Sequence, residues 1–224
     1  MNYKPDSQLE EEILQEFIAD TRVQSAEIRV TATLGTIGLS GVVDSWARRG
    51  AADAAARRVS GVRWVANDLQ VRLPPGGGAT DSEVAEAVRH ALHWDARVRP
   101  GSIEITVVAG HVLLRGQVSC FSEREDAEDA IGNVRSIVAI TNEIAVRQSN
   151  VAEADIRLSI EEAIHRRSLG GTQYVDLSIQ DGVVTLTGII DTHQTRSSLR
   201  SASAAIRGVR EVHDHLVVAL PART

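Results

Sequence analysis

The stretch "GVVTLTG", residues 182–188, is a short β-branched run with a glycine at each end, and the chain writes it two more times. "GTIGLSG" occupies 35–41 and "GHVLLRG" occupies 110–116. Corresponding glycines are 75 and then 72 residues apart. The same offsets carry Leu9, Ile13 and Phe17 onto Val84, Val88 and Leu92, then onto Ile156, Ile160 and Ile164. They carry Ile28, Val30 and Ala32 onto Ile103, Ile105 and Val107, then onto Val175, Leu177 and Ile179. They carry Val65, Asn67 and Leu69 onto Ile140, Asn142 and Ile144, then onto Val212, Asp214 and Leu216. A gapless three-fold alignment of this length identifies a tandem repeat. Its units run over 6–73, 81–148 and 153–220, joined by the Pro/Gly-rich "PPGGGA" at 74–79 and the polar "QSNVA" at 148–152.

Each unit reads alike. Apolar residues at i, i+4 and i+8 predict a first helix. Alternating apolar positions from Ile28, Ile103 and Val175 predict a first strand, and the Gly-x5-Gly stretch a second. A second helix follows, with Asp44, Ser119 and Asp191 expected at its N-cap. Its buried side is expected at Ala52, Ala55 and Val59, at Ala127, Ala130 and Val134, and at Leu199, Ala202 and Ile206. A third alternating strand closes the unit, and a right-handed crossover makes it parallel to the second. The fold class is α+β: three α-β-β-α-β repeats, each a three-stranded mixed sheet with two helices on one face.

The first glycine of each pair is a turn residue. Asp181-Gly182 between two strands is a strong hairpin signal, whereas the first two repeats lack the Asp, and a different turn type is expected there. The second glycine is expected to permit close helix–sheet approach or to mark a bulge. A phosphate loop is excluded, since no G-K-[ST] follows and the segment between the glycines is strand.

Composition narrows the function classes. The net charge is −6, aromatic residues make up 3%, and Lys4 is the only lysine. The chain therefore lacks the cationic field and stacking platform of a nucleic-acid binder. Acidity concentrates in the middle unit, with seven arginines against eleven carboxylates over 81–148. One cysteine, Cys120, allows no intramolecular disulfide or Cys-based zinc site. The N-terminus has no basic n-region followed by an apolar run, and no stretch approaches the length of a membrane span, so a cytoplasmic location is expected. Signatures of catalytic nucleophiles and metalloproteases are missing, and no cofactor is called for.

These residues resemble the BON domain, a module of bacterial osmotically inducible and nodulation proteins. The carrying pattern is a glycine turn, V-x-L-x-G-x-V, a helix, then G-V-x-x-V-x-N-x-L-x-V. It appears as "GTIGLSGVVD" with "SGVRWVANDLQV", "GHVLLRGQVS" with "RSIVAITNEIAV", and "GVVTLTGIID" with "RGVREVHDHLVV". Ser136-Ile137 replaces the G-V of the second copy, and Asp214 replaces the Asn of the third. The resemblance implies a non-enzymatic, stress-associated, transport-associated protein that contacts phospholipid surfaces or binds small solutes and ions. The absence of a signal peptide looks like the cytoplasmic triple-BON subgroup.

Candidate sites follow from what recurs and what does not. Arg49, Arg124 and Arg196 stand in the first turn of the second helix, where the dipole disfavours a cation. Either they bond a neighbouring strand or cap, or they meet phospholipid head groups, which suit the guanidinium fork. Trp46 and Phe121 share a position beside them, occupied by His193 in the third unit, and Trp94 ends the first helix of the second. Arginine flanked by aromatics suits a membrane interface, and aromatics at repeat edges equally suit packing. Asn67, Asn142 and Asp214 either bond a loop backbone or help hold a cation such as potassium. His213 and His215 lie on one side of a strand as a conceivable metal pair. Trp64 lies opposite the core positions of its strand. On the sheet face away from the helices, the first unit shows Arg29, Thr31 and Thr33 and the third Asp176, Ser178 and Gln180. The second shows Val108, Leu113, Ala139 and Ala145, predicting a face covered by another repeat or by a second chain. Phospholipid contact leads, with cation or solute binding and a protein-interaction scaffold as alternatives.

Overall fold

The computed structural model describes residues 4–23, 27–74, 76, 78–99, 103–147, 151–167, 174–190 and 193–218. The first repeat comprises α1 (Asp6–Ala19), β1 (Ile28–Thr33), β2 (Thr36–Val43), α2 (Trp46–Arg58) and β3 (Trp64–Val71). The second comprises α3 (Asp81–Trp94), β4 (Ile103–Val108), β5 (His111–Val118), α4 (Phe121–Ile131) and β6 (Ala139–Val146). The third comprises α5 (Glu153–Arg167), β7 (Tyr174–Gln180), β8 (Val183–Ile190), α6 (His193–Ala204) and β9 (Glu211–Val218). Packing divides the chain into two compact units, one of Met1–Trp94, Ile105–Leu113 and Asp129–Thr141, the other of Asp95–Glu104, Leu114–Glu128 and Asn142–Thr224. The middle repeat contributes to both.

The sheets have orders β1-β2-β3, β4-β5-β6 and β7-β8-β9, so the Gly-x5-Gly strand is central in each. β2 is antiparallel to β1 and parallel to β3, and β8 is likewise antiparallel to β7 and parallel to β9. Central strands supply the most deeply buried pairs, Ile37 and Leu39, Val112 and Leu114, and Val184 and Leu186. The first helices present Leu9, Ile13 and Phe17, Val84, Val88 and Leu92, and Ile156 and Ile160 to their cores. The side chain of Ile164 lies outside the described residues, as do Gln148–Asn150 and Pro75 and Gly77 of the two joins.

The hairpins correct one expectation. Leu34-Gly35, Ala109-Gly110 and Asp181-Gly182 each form a two-residue loop with both residues at positive φ, between 50° and 81°. All three are therefore the same type I′ turn. Leucine and alanine take the left-handed position because a type I′ turn matches the twist of the flanking strands, and the glycine after them supplies the second positive φ at no steric cost. In repeats two and three a carboxylate from the start of the first helix holds the turn. Asp81 accepts from Ala109 N (2.8 Å) and Gly110 N (2.9 Å), and Glu153 accepts from Asp181 N (2.8 Å).

The second glycine answers to a different constraint from the helix approach expected of it. Gly41 has φ 126° and Gly188 φ 137°. A Cβ at either would stand 2.0 Å from a backbone carbonyl oxygen, that of Glu27 or of Tyr174. Backbone at the entry to the antiparallel neighbour occupies that space, so only glycine fits.

Two local expectations shift along the chain. Ser45, not Asp44, caps α2, accepting from Arg48 N at 3.4 Å, while Asp44 pairs with the Arg48 side chain. Asp191 lies outside the described residues. On the second helices Ile131 and Ser203 are buried where Ala130 and Ala202 were expected, and the latter two are half-buried. The Ser203 hydroxyl donates to Leu199 O (3.0 Å), which satisfies it without leaving the helix.

Replacing Gly188 by alanine forces strained φ and a backbone clash together. The expected loss is about 2 kcal/mol or more, read as a lower denaturant midpoint. Gly50→Ala, where a Cβ meets nothing within 4 Å, is the control and leaves the midpoint unchanged or higher.

Candidate functional site

The recurrent arginine and the recurrent Asn/Asp meet. Arg49 on α2 donates through Nε to Leu69 O (3.2 Å) and through an Nη to Asn67 O (2.8 Å). Asn67 returns the bond, its Nδ2 donating to Arg49 O (3.1 Å), while its Oδ1 accepts from Leu69 N (3.2 Å). β3 is an edge strand, and residues 67 and 69 turn these polar groups to the side that β2 leaves open. The guanidinium tolerates the helix N-terminus because strand carbonyls satisfy it. The guanidinium groups also lie over the neighbouring rings: Arg49 sits 4.8 Å from the Trp46 ring centre and Arg124 5.9 Å from that of Phe121.

The second repeat repeats the clamp. Arg124 donates to Asn142 O (3.2 Å), Asn142 Nδ2 donates to Arg124 O (2.8 Å), and Asn142 Oδ1 accepts from Ile144 N (3.2 Å). In the third, Asp214 cannot donate, and the contact becomes ionic. Arg196 Nε donates to Asp214 Oδ2 (2.8 Å) and an Nη to Asp214 O (3.3 Å), while Asp214 Oδ1 accepts from Leu216 N (3.0 Å). The residue one turn along the second helix is Asp53, Glu128 and Arg200 in the three copies. Asn142 Nδ2 also reaches Glu128 Oε2 (3.3 Å), so an aspartate there would face a second carboxylate. In the second copy the amide stands beside an acid, and the copy that carries Arg200 has an acid in place of the amide.

The remaining candidates are dispersed. Trp94 is 83% exposed, with His93 edge-on at 6.3 Å. Phe121 also packs against the apolar core of the third repeat, and Arg200 pairs there with Glu125. Trp64 is exposed under Arg57 at 5.9 Å. His213 and His215 are exposed with ring centres 6.4 Å apart, and His213 Nε2 lies 3.1 Å from Glu211 Oε1. The His193 side chain lies outside the described residues. No group of three or more His, Cys, Asp or Glu among the described residues is placed to hold a metal. Cys120 is buried, its Sγ 3.3 Å from Ser122 Oγ.

The perturbed carboxylates mark helix ends rather than a cleft. Hydrogen bonds from Arg22 and then Arg58 hold Asp20 well below the usual carboxylate range, and those from Arg97 lower Asp95 at the equivalent place. Glu83 is lowered by the N–H and hydroxyl of Thr80, which form a capping box with it.

On the outward faces, the cover expected over the middle sheet from another repeat is incomplete. In the middle repeat Val108 is 65% exposed and Ala145 exposed, Leu113 and Ala139 are half-buried, and Arg115 pairs with Glu143 (2.8 Å). Val108 and Ala145 are thus uncovered by the described chain. The contiguous apolar row lies on the third sheet instead. Tyr174 is opposite Ile189, and Ile189 opposite Val217, all pointing away from the core, at 80%, 57% and 51% exposure. These residues sit on three strands far apart in sequence, and only strand register aligns them.

The BON domain family model matches three times, over residues 5–72, 80–148 and 152–219. The chain belongs to the BON domain family. Among its BON relatives, osmotically-inducible protein Y of Escherichia coli (strain K12) is 39% identical over 70 residues, covering 31% of this chain and 35% of that protein. The chain thus spans about a third of that relative's length. An uncharacterized protein in the gshII 5' region of Anaplasma centrale is 32% identical over 117 residues, 50% of this chain and 78% of that one. Among solved structures, the C-terminal domain of CdsD, a structural protein of the type III secretion system of Chlamydia trachomatis, is 16% identical with a TM-score of 0.26, covering 97% of this chain and 100% of that one. No helix among the described residues is long and apolar enough to cross a membrane.

The clamp predicts separate outcomes for two near-isosteric changes. Asn142→Asp costs about 1–3 kcal/mol, because a carboxylate replaces two donated bonds and faces Glu128. Asp214→Asn changes denaturant stability by less than Arg196→Ala, which strands a half-buried carboxylate and costs about 2–4 kcal/mol.

Proposed function

We propose that this BON protein is a non-enzymatic, stress-associated binding module that contacts phospholipid surfaces peripherally, through the apolar row Tyr174–Ile189–Val217. That row carries the reading. It spans all three strands of one sheet, and its tyrosine is the residue type that favours the water–lipid boundary. Trp94, with its ring open to solvent, is a second contact of the same kind. Arg49, Arg124 and Arg196 serve the fold in this reading, since their guanidinium groups are bonded to strand backbone or to Asp214. The side-chain oxygens of Asn67, Asn142 and Asp214 each accept a backbone N–H, which leaves a cation without a donor set of its own there.

With net charge −6, long-range attraction to anionic membranes is not the driving force. Contact is through apolar burial, which salt does not screen. Co-sedimentation with phosphatidylcholine vesicles is expected at low and high salt alike. Tyr174→Ser with Ile189→Ser lowers the bound fraction by about tenfold, the scale of losing two partly buried apolar side chains. Absence of binding to both zwitterionic and anionic vesicles at low salt would end the lipid reading.

A further inference from the structure

Each three-stranded sheet has two edges, and in five of the six a side chain from a helix or from the strand itself is bonded to the edge backbone. The clamps close β3, β6 and β9. On the opposite edges the first helix does the same work with either charge. Glu10 of α1 accepts from Ala32 N on β1 (2.8 Å), and Arg157 of α5 donates to Leu177 O on β7 (2.9 Å). Glu10 and Arg157 occupy the same repeat position, which in α3 is Ala85. A methyl group makes no hydrogen bond, and among the described residues no side chain bonds the outer edge of β4. Its residues Ile105 and Val107 correspond to Val30 and Ala32 of β1.

We propose that β4 is a pairing edge, and that its partner is β4 of a second copy of this chain. An open edge strand recruits another extended strand through main-chain hydrogen bonds. The sequence of β4, "IEITVV", is rich in β-branched residues and has no lysine or proline to discourage pairing. The choice of partner follows from the rest of the molecule: the other five described edges are plugged, so the strand of this protein free to join β4 is another β4. Antiparallel pairing about a two-fold axis suits it. Placing Ile105 opposite Ile105 sets Glu104 opposite Thr106, which keeps the two glutamates out of register with each other. Two three-stranded sheets then become one of six strands. The middle repeat opposes this with its excess of carboxylates, four in each copy over 81–148, and salt relieves that repulsion. The dimer therefore tightens as ionic strength rises.

Sedimentation equilibrium of the full chain, from about 1 μM to about 1 mM, tests the proposal at low and high salt. The expected result is a reversible monomer–dimer equilibrium that is stronger at high salt. Ala85→Glu installs in α3 the carboxylate that Glu10 supplies in α1, placed to accept from Val107 N, and raises the dissociation constant about tenfold or more. Ala87→Glu adds the same charge at an exposed position of the same helix and leaves the dimer within about twofold of the parent. A monomer throughout this range, or a dimer weakened equally by Ala85→Glu and Ala87→Glu, or unaffected by Ala85→Glu, would overturn the assignment. Circular dichroism of both variants confirms that the helix is intact, so loss of the dimer cannot be mistaken for unfolding.

Discussion

A three-stranded sheet is nearly all edge, and the arginine bond from the second helix to the carbonyls of the third strand is the contact on which the rest of each repeat depends. It ties the second helix down over the sheet and satisfies C=O groups that the edge would otherwise present to water or to another chain. Arg49, Arg124 and Arg196 each do this from the same turn of the helix. The Asn/Asp partner completes the clamp by turning its own oxygen onto the next strand N–H. A small domain with few aromatic residues has limited apolar area to bury, so polar fastening of its edges carries weight that a larger core would share.

The three copies behave as internal controls for one another. The clamp is constant in role and variable in chemistry, with an amide beside Glu128 in the second copy and a carboxylate in the copy that has Arg200. The edge plug on the first strand varies further, carboxylate in one copy, guanidinium in another, alanine in the middle. The hairpin is the least variable, because the type I′ turn that suits twisted strands keeps a glycine at its second position whatever residue precedes it. Positions under backbone constraint therefore repeat as identity, and positions under electrostatic constraint repeat as complementarity.

The copies differ on their outer surfaces. The row of Tyr174, Ile189 and Val217 has no counterpart in the first repeat, where Glu27, Val42 and Gln70 stand at those places, or in the second, where Ser102, Gln117 and Ala145 do. A BON scaffold thus carries three similar cores and three dissimilar outer surfaces. The third is apolar along one row, and the middle one carries an ion pair on its face and an unplugged strand at its edge.

The repeat offsets, the helix and strand periodicities and the paired glycines were sufficient, from the sequence by itself, to determine the α-β-β-α-β unit and its three-fold recurrence. Backbone periodicity is written locally, residue by residue, and repetition removes its ambiguities. The recurrence of Arg49 with Asn67 and of their equivalents was equally visible, but not that the two positions bond each other across 18 residues. Tertiary structure alone decided which side chain reached which backbone group, that the second glycine makes room for a neighbouring strand rather than a helix, and that Tyr174 lines up with Ile189 and Val217. Each of these depends on register between strands, and register is set by the packing of all the strands together.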